Sequence, residues 1–244
     1  MRIWIFYIIA PAFFGCLLQL SYPAVGQNTY PEVKRIKTVK EYRQSIGRDS
    51  SKIMVNLKDL ILGLLVDMPY ATKTNFTKTQ LYPTSAAFMR KGPATALKKV
   101  QEQLAKSGLC LKVWDAYRPF SVTCRMWRLT PDKHFVCNPK TASNHNRGAA
   151  VDLTIADLKT GKELDMGTGF DSFSDTAASA YSHLPPKVLE NRKLLARVMR
   201  EAGFRQLKRE WWHFNWAGAE KYEVLDLDFE QIPAINPLGQ IERR

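Results

Sequence analysis

The segment Ala150-Val151-Asp152-Leu153-Thr154-Ile155 constrains this chain more than any other. Its alternation predicts a strand with Val151, Leu153 and Ile155 on one face and Ala150, Asp152 and Thr154 on the other. An acid is then held on a sheet whose reverse face is tied to a core. A second strand is predicted over residues 211–216, flanked by Glu210 and carrying His213 among bulky aromatics, and a third over residues 109–114. Helical spacing runs through residues 93–107, where Ala96, Leu97, Val100 and Leu104 share a face, Pro93 lies in the first turn and Gly108 can serve as C′. It returns over residues 186–202, with Leu194, Leu195, Val198, Met199 and Ala202 inward and Gly203 as the stop. Residues 60–68 are almost continuously apolar and end at Pro69, which fits a buried strand or a short helix; periodicity does not separate the two.

The two ends read differently. In residues 1–26 a single Arg2 precedes an apolar run, and Ala24-Val25-Gly26 supplies small residues suited to signal peptidase, so a mature chain starting at Gln27 is expected. A retained anchor or lipidation at Cys16 are the alternatives; Pro11 and the cleavage pattern count against the anchor, and the residues before Cys16 fit lipidation poorly. The expected location is therefore outside the cytoplasm, in the periplasm or cell envelope, with no membrane span left after cleavage. Residues 27–58 form a basic N-terminal arm in which Val39, Tyr42 and Ile46 offer a helical face. Residues 59–232 are expected to form the main folded domain, and residues 233–244 a frayed tail with little to bury. What remains after cleavage, roughly 220 residues, is within the size that one hydrophobic core serves. The formal charge of +13 favours anionic partners. For an exported protein these are wall polymer or membrane rather than nucleic acid, although solvated lysines would account for the charge equally well. Cys110, Cys124 and Cys137 survive processing and permit at most one disulfide, for which Cys124 with Cys137 is the preferred pair because Cys110 sits in an apolar run. None has C-x-x-C spacing, which argues against a thiolate metal site.

The four histidines can be weighed singly. His145 lies in the polar loop Ser143-Asn144-His145-Asn146-Arg147-Gly148, just before the Asp152 strand, where Gly148 allows backbone conformations closed to other residues. His213 follows Glu210-Trp211-Trp212 in surroundings that exclude water. His134 and His183 read as loop or surface residues, with His183 the reserve ligand. Two histidines and an aspartate leave a tetrahedral zinc with one open position, where bound water ionises near neutral pH, and Glu210 is the natural base for that water. An odd offset separates Glu210 from His213, so a regular strand would point them to opposite faces. Either Glu210 reaches in from the preceding loop or a bulge re-aims the chain.

The blocks Ser143-x-His145-x-x-Gly148-x-Ala150-x-Asp152 and Glu210-x-Trp212-His213 resemble the zinc D-alanyl-D-alanine peptidases, which share their fold with the hedgehog signalling domain. Tyr70-Ala71-Thr72 with Asn75-Phe76, Trp114-Asp115-x-Tyr117-Arg118-Pro119, and Met166-Gly167 with Phe170-Asp171 are similar to the VanX-type D-alanyl-D-alanine dipeptidases. The resemblance spans residues 59–215 in one unbroken order. It implies one zinc per chain on His145, Asp152 and His213, Glu210 as catalytic base, and Arg118 as the group that stabilises the oxyanion. Tyr70, Ser143 and Asp171 would line the dipeptide pocket, with Asp171 balancing a substrate ammonium. For Arg118 the competing structural role is an ion pair with a residue such as Asp115; for Asp171 it is a turn or cap. The basic arm and export signal depart from the resistance-associated members, which act on cytoplasmic dipeptide, and this bears on biological role rather than reaction.

The expected fold is α+β, a central, largely antiparallel sheet flanked by helices with the metal on one face. The expected reaction is hydrolysis of D-alanyl-D-alanine in cell-wall peptide turnover. A carboxypeptidase acting on peptidoglycan stem peptides would use the same metal centre in a more open cleft. Two histidines and one carboxylate also make the facial triad of iron oxygenases, but there the first histidine and acid stand one residue apart and a base beside the second has no task. A zinc-retaining, non-catalytic wall-binding module would have no use for Glu210 and Arg118.

Overall fold

The computed structural model describes residues 33–232; the segment read as an export signal, Cys16 and the tail lie outside the described residues. The strands are β1 (Arg35–Ile36), β2 (Met54–Asn56), β3 (Leu65–Val66), β4 (Phe88–Arg90), β5 (Leu109–Asp115), β6 (Ala150–Asp157), β7 (Phe204–Leu207), β8 (Glu210–Trp216) and β9 (Val224–Leu225). The helices are α1 (Val39–Arg48), α2 (Leu57–Leu60), α3 (Lys91–Ala105), α4 (Phe120–Leu129) and α5 (Pro186–Glu201). Five strands form the central sheet in the order β3-β5-β6-β8-β7. Its β3–β5 pair is parallel and the other three pairs are antiparallel, as expected. Helix α3 packs against β5 and α5 against β7. Among the described residues no helix is long and apolar enough to cross a membrane.

Strand β6 is buried along nearly its whole length, with Val151, Leu153 and Ile155 in the core. Its opposite face, carrying Asp152 and Thr154, is covered as well. The strands and helices expected at residues 109–114, 93–107 and 186–202 are present with ends shifted by a residue or two. The apolar run at 60–68 is neither one strand nor one helix. Helix α2 ends at Leu60, Leu62 is 95% exposed, and β3 holds only Leu65 and Val66. Gly63 turns the chain there with φ +78°, so a break that the apolar pattern conceals is set by one glycine.

The N-terminal segment packs onto the same core. Thr38 and Glu41 form a capping box at the start of α1, which turns Tyr42 and Ile46 inward. The Tyr42 hydroxyl accepts a hydrogen bond of 2.6 Å from the Met54 amide. Strand β1 pairs with β9 and β2 with β4. The wholly buried Arg90 donates to the carbonyls of Lys52, Arg147 and Glu223, joining this segment to the His145 loop and the C-terminal strand region. The expected Cys124–Cys137 disulfide is absent: Cys110, Cys124 and Cys137 are all free. Cys124 is carried by α4, whereas the Cys137 thiol is turned to the Ala142 carbonyl at 3.1 Å.

Because Tyr42 is fully buried, Tyr42→Ala should remove about 3–5 kcal/mol of stability, the range for deleting a buried aromatic side chain. Thermal and urea unfolding of the variant would measure it, and an unchanged midpoint would show that α1 does not belong to the cooperative unit.

Candidate active site

Sheet register places the acid and one histidine together. Asp152 on β6 is the direct cross-strand partner of His213 on β8, so both side chains leave the same face. Asp115 on β5 stands opposite Asp152 in turn. His145 arrives from the short 3₁₀ turn His145–Arg147, which closes at Gly148 with φ +65°. Gly148 suits this turn because its positive φ strains residues with a side chain, and a Cβ there would also lie 2.7 Å from the end of the Met54 side chain, which would have to shift.

Two bulges aim the remaining groups. On β7 one step, Gln206 to Leu207, is matched on β8 by the four steps from Phe214 to Glu210. This irregularity removes the strict alternation between Glu210 and His213, and the Glu210 carboxylate comes within 3.8 Å of His213 Nδ1. The bulge is therefore how Glu210 reaches the site, and the neighbouring Trp211 and Trp212 are both buried. On β5 the two steps from Val113 to Asp115 are matched by one step on β6, Leu153 to Asp152. Val113 lies in the core, yet Asp115 is turned to the site.

The ligand atoms converge. His145, Asp152 and His213 are buried and offer donor atoms all within 4.8 Å of one another. His145 Nε2 is 3.3 Å from Asp152 Oδ2 and 3.2 Å from His213 Nδ1, and His213 Nδ1 is 2.9 Å from Asp152 Oδ1. That last contact lacks hydrogen-bond geometry, so the buried Asp152 Oδ1 has no hydrogen-bond partner. The outer nitrogen of His145 is 2.6 Å from the Ala116 carbonyl, to which it can donate while leaving Nε2 as an inward-facing lone pair. An orphaned carboxylate oxygen, an oriented imidazole and a second imidazole at contact distance fit a metal ion.

The electrostatics agree. Burial pushes the Asp152 carboxyl up, but His145 and His213 outweigh it and hold the carboxyl far below the usual range. Burial opposes charge on His213, yet Asp152 and then Glu210 push it up to about 9. The pocket thus draws positive charge toward its centre, a demand that a divalent cation meets. Burial raises the Glu210 pKa, which favours proton uptake by that carboxylate. Asp171 is raised well above the carboxylate range by burial and by Asp152.

Every residue expected at the site lines one cleft of about 570 Å³: Tyr70, Arg118, Ser143, His145, Asp152, Asp171, Glu210 and His213. Arg118 lines the cleft and is also paired with Asp115 through Nε at 3.0 Å and Nη2 at 2.5 Å. Nη1 is not used in that pair. Asp171 likewise combines two roles. It occupies a left-handed turn conformation with φ +56°, which aspartate tolerates, and its carboxylate accepts the Tyr70 hydroxyl at 2.9 Å. Ser143 Oγ accepts from the His145 amide, an ST-type turn that shapes the ligand loop. His183 is exposed beside Tyr181 and does not belong to the ligand group, and the His134 backbone lies in the turn Lys133–Phe135. Residues the sequence reading passed over include Tyr82, whose hydroxyl donates to Asp115 at 2.6 Å, and Asn146, which bonds the Arg118 carbonyl and Thr123. No sequence pattern marks Tyr82, since its contact bridges distant segments.

Replacing His145, Asp152 or His213 by Ala should each abolish stoichiometric metal binding, whereas His183→Ala should retain it. Elemental analysis of purified protein reads this directly, and full occupancy in the three ligand variants would refute the assignment.

The family model for D-ala-D-ala dipeptidases, peptidase family M15, matches residues 50–232. Over 172 residues the chain is 36% identical to a D-alanyl-D-alanine dipeptidase of Escherichia coli, covering 70% of this chain and 89% of that protein. It is 30% identical over 179 residues to an Enterococcus faecalis protein of the same name, covering 65% and 89%. A Streptomyces coelicolor dipeptidase of that name is 31% identical over 177 residues, covering 64% and 88%. The matched span contains all the residues that converge in the cleft, and the chain belongs to the D-Ala-D-Ala dipeptidase family of metallopeptidases.

Proposed function

We propose that this protein hydrolyses free D-alanyl-D-alanine with one zinc ion held by His145, Asp152 and His213. The observation that carries the reading is the convergence of that ligand set with Glu210, Arg118 and the Tyr70–Asp171 pair in one cleft. Zinc suits a site with two nitrogen donors, one carboxylate and room for substrate, and when bound it supplies Lewis acidity to a carbonyl oxygen and to water. Glu210, half-buried at the cleft wall, takes the water proton and returns it to the leaving amine. Arg118, held in place by Asp115, places a permanent charge where the oxyanion develops. Asp171, whose carboxylate accepts the Tyr70 hydroxyl, receives the substrate ammonium, whose positive charge offsets the burial that raises the Asp171 pKa. The apolar N-terminal stretch with its small-residue cleavage pattern supports export to the periplasm or envelope, where the substrate is a product of wall peptide turnover. The basic charge supports attraction to anionic wall polymer there.

Glu210→Gln should keep the metal while turnover falls toward ~10⁴-fold, the upper range for general acid–base catalysis. Arg118→Lys should cost mainly kcat, since an ammonium cannot reproduce the guanidinium fork. Steady-state kinetics beside metal analysis tests both, and a Gln variant within a few-fold of wild type would exclude Glu210 as the base.

Acetylating the substrate amine removes the partner of Asp171 and adds bulk. Loss of one member of a buried charge pair costs ~3–5 kcal/mol, so N-acetyl-D-Ala-D-Ala should be at least ~100-fold poorer in kcat/KM than the free dipeptide. A stem pentapeptide should be poorer in the same way, and Asp171→Asn should narrow the gap by weakening the free dipeptide most. Equal hydrolysis of all three substrates would favour the stem-peptide carboxypeptidase instead.

A further inference from the structure

A D-alanyl-D-alanine dipeptide carries three charged or charge-developing groups, and this inference rests on that substrate reading. The ammonium meets Asp171 and the developing oxyanion meets Arg118. The terminal carboxylate has no partner in that scheme. Among the residues lining the cleft, the permanent cations are Arg118, Lys208 and Arg209. Arg118 is committed through Nε and Nη2 to Asp115. Lys208 and Arg209 are exposed, and neither forms an ion pair among the described residues.

The local structure gives this cationic pair a defined position. Leu207 and Glu210 are cross-strand partners, so Lys208 and Arg209 are the two residues of the β7–β8 hairpin turn. The Lys208 carbonyl accepts from the Ser179 amide at 3.0 Å and from the Ser179 hydroxyl at 3.2 Å, which fastens the turn to a neighbouring segment. Glu210, the proposed base, is the next residue. A proton returned from Glu210 goes to the leaving amine, and in a dipeptide that amine belongs to the residue bearing the terminal carboxylate. The carboxylate therefore has to lie on the Glu210 side of the cleft, away from Asp171. We propose that the Lys208–Arg209 turn is the subsite for the terminal carboxylate and selects substrates with a free C-terminus.

The test compares D-Ala-D-Ala with its C-terminal amide on zinc-loaded wild type and on the Lys208→Ala/Arg209→Ala double variant. Both side chains are exposed, so the variant should fold. For the free acid, kcat/KM should fall about threefold to tenfold, the scale of two solvent-exposed charge contacts, with the loss in KM rather than kcat. The amide should lose nothing or improve, so the acid-to-amide preference shrinks. Added salt should weaken the wild type on the free acid more than it weakens the variant. Equal losses on acid and amide, or an unchanged preference, would overturn the subsite. A wild type inactive on D-Ala-D-Ala would refute the dipeptidase reading separately. Calorimetric titration of the same two ligands into zinc-loaded Glu210→Gln protein, with and without the turn's cations, then decides the subsite alone: tighter binding of acid than amide that needs the cations supports it, and any other pattern overturns it.

Discussion

The buried carboxylate of Asp115 is the constraint on which the active site is assembled. Wholly buried, it accepts the Tyr82 hydroxyl at 2.6 Å and the Ala116 amide at 2.9 Å on one oxygen. Its other oxygen takes both bonds from Arg118 and stands 3.5 Å from His145 Nδ1. A buried charge without partners would be prohibitive, but with these donors it fixes Arg118, for which we propose oxyanion stabilisation, and braces the loop that carries the proposed metal ligand His145. The Ala116 carbonyl, one residue on, orients His145 itself. Arg118 and His145 therefore share one anchor, whose removal would leave the Arg118 charge buried and unpaired.

Around that anchor the sheet departs from regularity in two places, each beside a tryptophan and each delivering an acid. The bulge at Trp114 turns Asp115 toward the site, and the irregularity spanning Trp211 and Trp212 brings in Glu210. The tryptophans go into the interior: Trp114 meets Trp211 edge-on at 5.9 Å and stacks with Phe170 at 5.1 Å, while Trp211 and Trp212 pack at 5.5 Å. Large rings are well suited to this because they fill the space that a strand leaves when it breaks its alternation. They also keep water from the inner wall of the cleft, which strengthens the charge interactions among Asp152, His213 and Glu210. Phe170 lies next to Asp171, so the same aromatic layer extends to the Asp171 side of the cleft.

Much of this was legible from residue order. The Asp152 strand and the two long helices follow from alternation and helical spacing, and the candidate ligand set His145, Asp152 and His213 from donor chemistry together with the family resemblance. What periodicity could not resolve were short elements whose ends depend on single residues. Gly63 splits an apolar run that reads as one piece, and α4, not among the helices expected, is only ten residues long, with Phe120, Thr123 and Met126 as its buried positions. The disulfide expectation failed because cysteine spacing says nothing about the direction in which thiols point; Cys137 faces the Ala142 carbonyl.

The sequence by itself determined which atoms are available: two histidines and an acid for a metal, a base beside the second histidine, and an arginine able to carry permanent charge. These are matters of side-chain chemistry and local backbone preference, which neighbours along the chain already express. Only the tertiary structure decided where those atoms point. The offset between Glu210 and His213 allowed two geometries, and the unequal step count between β7 and β8 chose one. Arg118 allowed an ion pair or a place in the cleft, and the wholly buried Asp115 behind it makes the pair while Arg118 itself lines the cleft. Such outcomes depend on strand register and on contacts such as Tyr82 with Asp115, between segments far apart in the chain, and register is a property of the packed sheet rather than of any one strand.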